Sequence, residues 1–256
     1  MEVAVLKMVH HPNIIEFVDT FQDAHFVYVV MERHGCEWGE APRDVPPSLP
    51  CRPPKLGREH ERLPVALPVR RPCDLFECLQ QHQGLPEARA RLVFAQIVDA
   101  VHYLSTLGVY HRDLKDENCV VDAAFQVKLV DFGSAVLISE NALERLLSKF
   151  CGTLSFASSE ILAGRQYAAP SADVWSLGVL LSILVTGTCP FATPEAAIKG
   201  ELGSARARFS DGSWDVLTSC LHVDPARRIT IPSLHKHPWV SCARDTRTCA
   251  ELPIPP

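Results

Sequence analysis

A carboxylate, an amine and a carboxamide lie within the six-residue segment Asp113–Asn118. Asp113 can accept the proton of an attacking hydroxyl or orient that hydroxyl, and Lys115 can sit against a phosphate as a point charge. Asn118, together with Asp131 eighteen residues after Asp113, offers the hard oxygen ligands that Mg²⁺ prefers. Phosphoryl transfer needs these parts, because its charge lies on peripheral oxygens that a protein positions and neutralises.

The sequence around these side chains forms two motifs. His111-Arg112-Asp113-Leu114 is followed by Asn118, and Asp131-Phe132-Gly133 follows the strand-like run 127–130. Each side chain alone could be a solvated turn residue, but the pair of motifs at this spacing resembles the catalytic loop and D-F-G element of the protein kinases. The resemblance implies ATP and Mg²⁺ as cofactors. It also implies catalytic roles for Asp113 and Lys115, metal binding by Asn118 and Asp131, and structural roles for His111, Arg112, Phe132 and Gly133.

Downstream motifs match the same family. The segment 134–150 resembles an activation loop, and the resemblance implies that Thr153, which follows it, helps to orient Asp113 and Lys115. Where the family has A-P-E, this chain has Ser158-Ser159-Glu160, so a backbone constraint is lost but no catalytic group.

The resemblance also assigns structural partners. It implies that Glu160 pairs with Arg228. It further implies that Asp173 holds the backbone of the His111-Arg112 turn, whereas the local sequence alone favours a helix cap at Asp173.

The first 34 residues predict a helix end and an antiparallel hairpin. Glu2–Val9 is predicted to be helical, and the strand-forming runs Ile14–Phe21 and Phe26–Met31 are joined by a polar turn. By resemblance, Glu2 corresponds to the helix glutamate that pairs with a strand lysine; the alternative is a solvated helix residue. The resemblance implies an adenine side made of Met31 at the gatekeeper position, Glu32 and His34 in the hinge, and Leu75 and Val120 as the pocket floor.

The second half of the chain is predicted to be mainly helical. Pro86 begins a long helix that ends near Leu107, with Gly108 as its C-cap. Ser171 is predicted to cap a helix over Ala172–Thr186, and the tail from Ser241 is expected to be disordered. The long helix buries a stripe of Val93, Ile97, Ala100, Val101 and Leu104. Shorter helices are predicted near Asp74–Gln81, Pro194–Lys199, Ser213–Leu221 and Ile231–His235.

Residues 37–72 differ from the rest in composition. They hold nine prolines and six arginines with no helical or strand period, which predicts irregular or disordered chain. Joining Gly35 to Cys73 would restore a short connection. The segment is therefore either an insertion, or translated intronic sequence, which we favour, or a proline-rich partner-binding segment.

The predicted fold is α+β, a protein-kinase-like two-lobe fold. Its domains are a residual N-terminal lobe (1–34), the irregular insertion (35–72), a mainly helical C-terminal lobe (73–240) and a disordered tail (241–256). We expect the N-terminal lobe to be truncated, because the family's first three strands, with their glycine-rich loop and lysine, have no counterpart in these 256 residues. We therefore expect weak ATP binding and impaired activity. The alternative function is a pseudokinase that acts as a binding module.

Within the kinases, Lys115 favours serine/threonine specificity. Met31-Glu32-Arg33-His34-Gly35 and Asp74-Leu75-Phe76 look most like PAS-domain kinases, near the calmodulin-dependent and AMP-activated group. The expected partners are protein substrates. The resemblance implies that Asp74 and Glu117 bind substrate by reading an arginine upstream of the phosphorylated residue; otherwise Asp74 caps its helix and Glu117 is solvated.

The composition is that of a soluble globular protein, with 47% hydrophobic and 21% charged residues. A net charge of −5 gives no reason to expect nucleic acid and slightly favours basic partners. The ten cysteines include no C-x-x-C pair, and no secretory signal is visible, so we expect a reducing, cytoplasmic location, with the nucleus as a second one. The longest apolar run, Leu177–Val185, is too short to predict a membrane span.

Overall fold

The computed structural model describes residues 2–34, 74–122, 124–139, 145–203 and 205–244. Both helices and strands occur, in agreement with the predicted α+β class. In chain order the helices and strands are α1 (Glu2–Leu6), β1 (Phe17–Gln22), β2 (Val27–Met31), α2 (Leu75–His82), α3 (Glu87–Thr106), β3 (Val109–Tyr110), β4 (Cys119–Val121), β5 (Val127–Leu129), β6 (Val136–Leu137), α4 (Ser159–Leu162), α5 (Ala169–Thr186), α6 (Pro194–Lys199), α7 (Asp211–Cys220), α8 (Ile231–His235) and α9 (Pro238–Ser241).

Helix α3 carries the apolar stripe that its sequence predicts, and all five stripe residues are buried. The helix ends where Gly108 adopts a φ of 71°, a left-handed conformation that glycine allows without strain. A Cβ atom at this position would lie 2.3 Å from the carbonyl oxygen of Ile138. The close approach brings the chain out of α3 directly into β3 and the loop that carries Asp113.

Helix α5 is the central helix of the core, with most of its residues buried on every side. It begins at Ala169, so the predicted start at Ala172 with a Ser171 cap is wrong. Pro170 occupies the first turn, where its missing N–H costs no hydrogen bond. The Ser171 hydroxyl instead accepts a bond from Arg228, 3.0 Å away. By length and hydropathy α5 could span a bilayer, but 78% of it is buried inside the protein, as in the core helix of a globular domain.

Strands β1 and β2 form the predicted antiparallel hairpin, in which Phe21 pairs with Tyr28 and Thr20 with Val29. The chain before the hairpin attaches it to the rest of the molecule, because Ile14 forms a parallel bridge with Leu129 of β5. Helix α1 is shorter than predicted and ends at Leu6.

Two short antiparallel pairs, β4–β5 and β3–β6, position the segments that could do chemistry. Strand β3 precedes His111, and β4 begins directly after Asn118. Strand β5 ends two residues before Asp131, and β6 follows Gly133. These strand pairs therefore hold the loop that carries Asp113 and the loop that carries Asp131 at the same end.

The chain after α9 is ordered further than predicted. Residues Cys242–Arg244 form a 3₁₀ turn, and Arg244 Nε donates to Asp99 of α3 at 2.9 Å. The expectation of disorder from Ser241 is therefore wrong up to residue 244. The predictions for residues 35–73 and for residues 245–256 lie outside the described residues.

Candidate active site

Asp113 lies at the centre of a hydrogen-bonded network. Its Oδ1 accepts from the Thr153 hydroxyl at 2.9 Å, and that hydroxyl accepts from Lys115 Nζ at 3.1 Å. Lys115 Nζ also lies 3.7 Å from Asp113 Oδ2. Thr153 therefore contacts both residues that the resemblance says it orients, across forty residues of sequence.

Asn118 joins the same network. Its Nδ2 donates to the Asp113 carbonyl oxygen at 2.8 Å and lies 3.3 Å from Asp113 Oδ2. These bonds fix the amide so that its Oδ1 points away from Asp113, which is the orientation that an oxygen ligand for a metal needs.

Asp131 has an exposed carboxylate and an unusual backbone. Its φ is 61°, in the left-handed region that non-glycine residues rarely adopt, and its Oδ1 accepts from Gly133 N at 3.1 Å. A Cβ on Gly133 would lie 4.0 Å from the carboxylate of Glu2, so α1 reaches this turn. Phe132 is fully buried beside His111, with ring centroids 5.0 Å apart.

Asp173 of α5 holds the catalytic-loop backbone. Its two oxygens accept from His111 N at 2.9 Å and from Arg112 N at 2.8 Å, as the resemblance implies. Burial raises the pKa of Asp173 to about 7, although the two N–H groups oppose the rise. The bonds hold Arg112 at a φ of 64°, a strained conformation that the surrounding structure has to maintain.

His111 is fully buried, and burial lowers its pKa, so the ring is neutral. Its Nε2 lies 3.1 Å from the Val130 carbonyl oxygen, and its Nδ1 lies 3.4 Å from Asp113 N. A neutral ring that donates from Nε2 and accepts at Nδ1 satisfies both contacts. His111 therefore links the Asp113 loop to the segment that ends at Asp131.

The segment Leu147–Thr153 passes directly over the catalytic loop. Gly152 has a φ of 136°, and a Cβ there would lie 2.5 Å from the Arg112 carbonyl oxygen. Tyr167 binds the other end of the segment through reciprocal backbone bonds with Leu147 of 2.8 and 3.0 Å. The segment is thus fixed at two points beside Asp113.

Glu160 and Arg228 form the ion pair that the sequence predicts. The pair is bidentate, with distances of 2.9 and 2.8 Å, and both side chains are buried. Burial raises the pKa of the Glu160 carboxyl, but the bonds and charge of Arg228 outweigh burial and hold the pKa below its usual value. Ser159, in the place of the family's proline, donates to the Val223 carbonyl oxygen at 3.0 Å.

The predicted adenine-side residues make contacts of their own outside the Asp113 network. Met31 ends β2, and the Glu32 carboxylate contacts Lys128 Nζ at 2.6 Å and accepts from Glu16 N. His34 Nε2 lies 3.0 Å from the Gln126 carbonyl oxygen. Leu75 is fully buried, and the residue before it forms a bridge with Val120. Their roles toward adenine stay predictions.

Three carboxylates gather where α2 meets the catalytic loop. Asp74 caps α2 by accepting from Glu77 N at 2.7 Å, Glu117 is exposed, and Asp116 is buried. Burial raises the pKa of Asp116 to about 6, and the charge of Glu117 adds to the rise. Burial raises the pKa of the Cys119 thiol, and the charges of Asp116, Asp74 and Glu117 add to the rise, so the three carboxylates lie near this buried thiol.

The sequence analysis missed Tyr167 and Asp116. Tyr167 acts on the segment 147–153 through contacts twenty residues apart, and no local pattern signals such contacts. Asp116 carries a weak signal, since it follows Lys115 inside the motif, but its burial depends on the packing of α2.

The arrangement can position a hydroxyl beside Asp113, place one cation next to it and offer two oxygen ligands from Asn118 and Asp131. These are the requirements of phosphoryl transfer. The residues fit Mg²⁺, because both ligands are hard oxygen donors and Asp131 is exposed.

Comparisons with known proteins agree with this geometry. A family model described as a protein kinase domain matches residues 56–240. The chain is 32% identical over 241 residues to the PAS domain-containing serine/threonine-protein kinase of Mus musculus, covering 94% of this chain and 15% of that protein. It is 31% identical to the serine/threonine protein kinase OSK3 of Oryza sativa subsp. indica, covering 93% of this chain and 40% of that protein. It is also 31% identical to the serine/threonine-protein kinase GIN4 of Saccharomyces cerevisiae, covering 98% and 20%. The chain therefore spans less than half the length of these curated relatives.

Proposed function

The chain belongs to the protein kinase family, and we propose that it transfers the γ-phosphate of ATP to serine or threonine side chains of protein substrates. The observation that carries the proposal is the Thr153–Asp113–Lys115 network with Asn118 bonded into it. A binding module that does not catalyse has no need of all these groups in one network. The names of the relatives, all serine/threonine kinases, support the same substrate class.

The side chains divide the work by their chemistry. Bound Mg²⁺ and ATP would supply the transferable phosphoryl group and its countercharge. Asp113 receives or orients the hydroxyl proton of the substrate, and Thr153 holds its Oδ1 so that the carboxylate cannot rotate freely. Lys115 adds positive charge beside the carboxylate, and Asn118 and Asp131 would hold the metal.

A second candidate is a pseudokinase that binds partners without catalysis. It rests on the sequence of these 256 residues, which contains no G-x-G-x-x-G loop to cover the phosphates. We propose that this lack weakens ATP binding by these residues alone, because no such loop covers the phosphates, and that it also slows transfer, since one preorganised charge-stabilising group is typically worth roughly 10²–10³ in rate. Calorimetry with Mg-ATP tests whether ATP binding is weak, and a low-micromolar affinity would contradict this proposal.

The test of the main proposal is transfer of labelled phosphate from Mg-ATP to a peptide library that contains serine, threonine or tyrosine. We expect label on serine and threonine and none on tyrosine. An Asp131→Asn variant should lose the reaction, whereas Asp19→Asn, which changes an exposed carboxylate on β1, should keep it. Absence of transfer to any peptide would favour the binding module.

We further propose a preference for an arginine upstream of the phosphorylated residue. The support is the group of carboxylates at Asp74, Asp116 and Glu117, which can form charge-assisted bonds with a guanidinium. Because Asp74 also caps α2, the informative variant is Asp74→Asn, which keeps a capping side chain and removes the charge. The double variant with Asp74→Asn and Glu117→Gln should lose the preference for arginine. An unchanged preference in this variant would refute the assignment.

The cysteine pattern also leads us to propose a reducing, cytoplasmic or nuclear location. Fractionation of cells that express the tagged protein tests this, and secretion would contradict it.

A further inference from the structure

We propose that Tyr167 is a positioning residue for the transfer reaction, because its hydroxyl ties the segment Leu147–Thr153 to Arg112 of the catalytic loop. The inference rests on the proposed function and names a residue that none of the motifs includes. It concerns how the segment beside Asp113 is held, and it does not place Tyr167 in contact with the reacting atoms.

The contacts of Tyr167 reach both elements. Its side chain is 3% exposed, and its hydroxyl donates to the Lys149 carbonyl oxygen at 3.1 Å. Arg112 Nη1 donates to the same hydroxyl at 3.4 Å. The hydroxyl thus donates one bond to the segment Leu147–Thr153 and accepts one from the catalytic loop, two parts of the chain that lie far apart in sequence.

Arg112 is in turn fixed to the rest of the site. Its Nε donates to the Ser134 carbonyl oxygen at 2.7 Å, and its backbone N–H donates to Asp173. A movement of the Tyr167 hydroxyl therefore acts on a residue that immediately precedes Asp113. Burial raises the pKa of the Tyr167 hydroxyl, so it stays a neutral donor over the working pH range.

The segment Leu147–Thr153 carries this constraint to Asp113. Lys149 lies four residues before Thr153, whose hydroxyl binds Asp113 and Lys115. Gly152, between them, lies against the Arg112 carbonyl oxygen so closely that a Cβ would be 2.5 Å away. Between the backbone bonds of Leu147 and the hydroxyl of Thr153, the Lys149 carbonyl is a further point at which the segment is held, and its loss should loosen the chain that leads to Thr153.

The decisive variant is Tyr167→Phe, which removes the hydroxyl and keeps the ring and the backbone bonds to Leu147. Its control is Tyr103→Phe, which also removes a tyrosine hydroxyl, one that accepts a bond from His10 N at 3.1 Å and not from the segment. Two readouts are needed. The first readout is kinetic and gives the KM for peptide, the KM for ATP and kcat. The second is the rate of tryptic cleavage after Lys149, relative to the rate of cleavage after Lys199 at the end of α6.

For Tyr167→Phe we expect the peptide KM to rise and kcat to fall, together by about tenfold in kcat/KM, which lies within the range that the loss of the two hydroxyl bonds can cost. The KM for ATP should stay within about twofold, and relative cleavage after Lys149 should accelerate several-fold. Tyr103→Phe should change none of these quantities.

An unchanged cleavage rate in Tyr167→Phe would overturn the positioning role even if the chain transferred no phosphate, because the cleavage rate does not depend on activity. Equal losses in Tyr167→Phe and Tyr103→Phe would also overturn it, since they would indicate a general loss of stability. Accelerated cleavage in a chain that never transfers phosphate would support the tie between Tyr167 and the segment and would contradict only the proposed function.

Discussion

Loss of the Arg228 side chain should destabilise the fold more than loss of any exposed ion pair. Arg228 contacts both oxygens of Glu160, and two more of its donors bind Ser171 and the His222 carbonyl oxygen. The guanidinium also lies 5.0 Å from the ring of Trp175. The side chains of Arg228 and Glu160 are 0% and 3% exposed, so water cannot replace these contacts.

Arg228→Ala should lower the free energy of unfolding by about 3–5 kcal/mol, because it leaves the Glu160 carboxylate buried without its partner. Arg228→Lys should lose much of that energy as well, since an ammonium cannot form two parallel bonds to a carboxylate. The exposed pair of Lys199 and Glu201, whose side chains are 67% and 65% exposed, provides the control. Lys199→Ala should cost about 1 kcal/mol or less.

Urea unfolding followed by circular dichroism measures the differences. The effect should also depend on pH. The Glu160 pKa lies below its usual value in the folded state, so the stabilisation is present above about pH 4.5 and is lost as the pH falls through the lower folded value. A loss of less than 1 kcal/mol in Arg228→Ala at pH 7, or a loss that does not shrink in acid, would refute the account of this ion pair.

Two further predictions concern the catalytic loop and the segment above it. Burial raises the pKa of Asp173 to about 7, so the free energy of unfolding should fall as the pH rises from about 4 to 7, because the unfolded state releases this proton first. Unfolding measured as a function of pH in the wild type and in Asp173→Asn checks this pH dependence, which the variant should lack. Gly152→Ala should reduce kcat/KM by at least about tenfold, because its Cβ would meet the Arg112 carbonyl at 2.5 Å. Gly164→Ala, where φ is also positive but the space is open, should lose some stability and keep activity; equal activity of the two variants would contradict the reasoning.

Short helices were predicted well where the sequence carries both a capping residue and a proline in the first turn. Helices α6 and α8 begin after Thr193 and Thr230, each with a side-chain cap bond and a proline in the first turn. The motifs around Asp113, Asn118 and Asp131 predicted a common site through their resemblance to the protein kinases, and the antiparallel pairing of β4 with β5 brings the chain back from Asn118 to the segment before Asp131.

Long-range contacts account for the predictions that were wrong. The sequence offered Ser171 as a helix cap, but Arg228, fifty-seven residues away, binds its hydroxyl and α5 begins earlier. The tail was expected to be disordered because nothing near Ser241 predicts structure. Arg244 instead binds Asp99, 145 residues before it. Neither partner could be chosen from periodicity or capping rules.

The most direct test of the central claim is phosphate transfer by Asp113→Asn. Asparagine keeps an oxygen that can accept from Thr153, so the fold and Mg-ATP binding should match those of the wild type. Turnover should fall by roughly 10²–10⁴, the contribution of a general base, while Asp19→Asn should transfer phosphate at the wild-type rate. Undiminished turnover in Asp113→Asn would contradict the assignment of the active site.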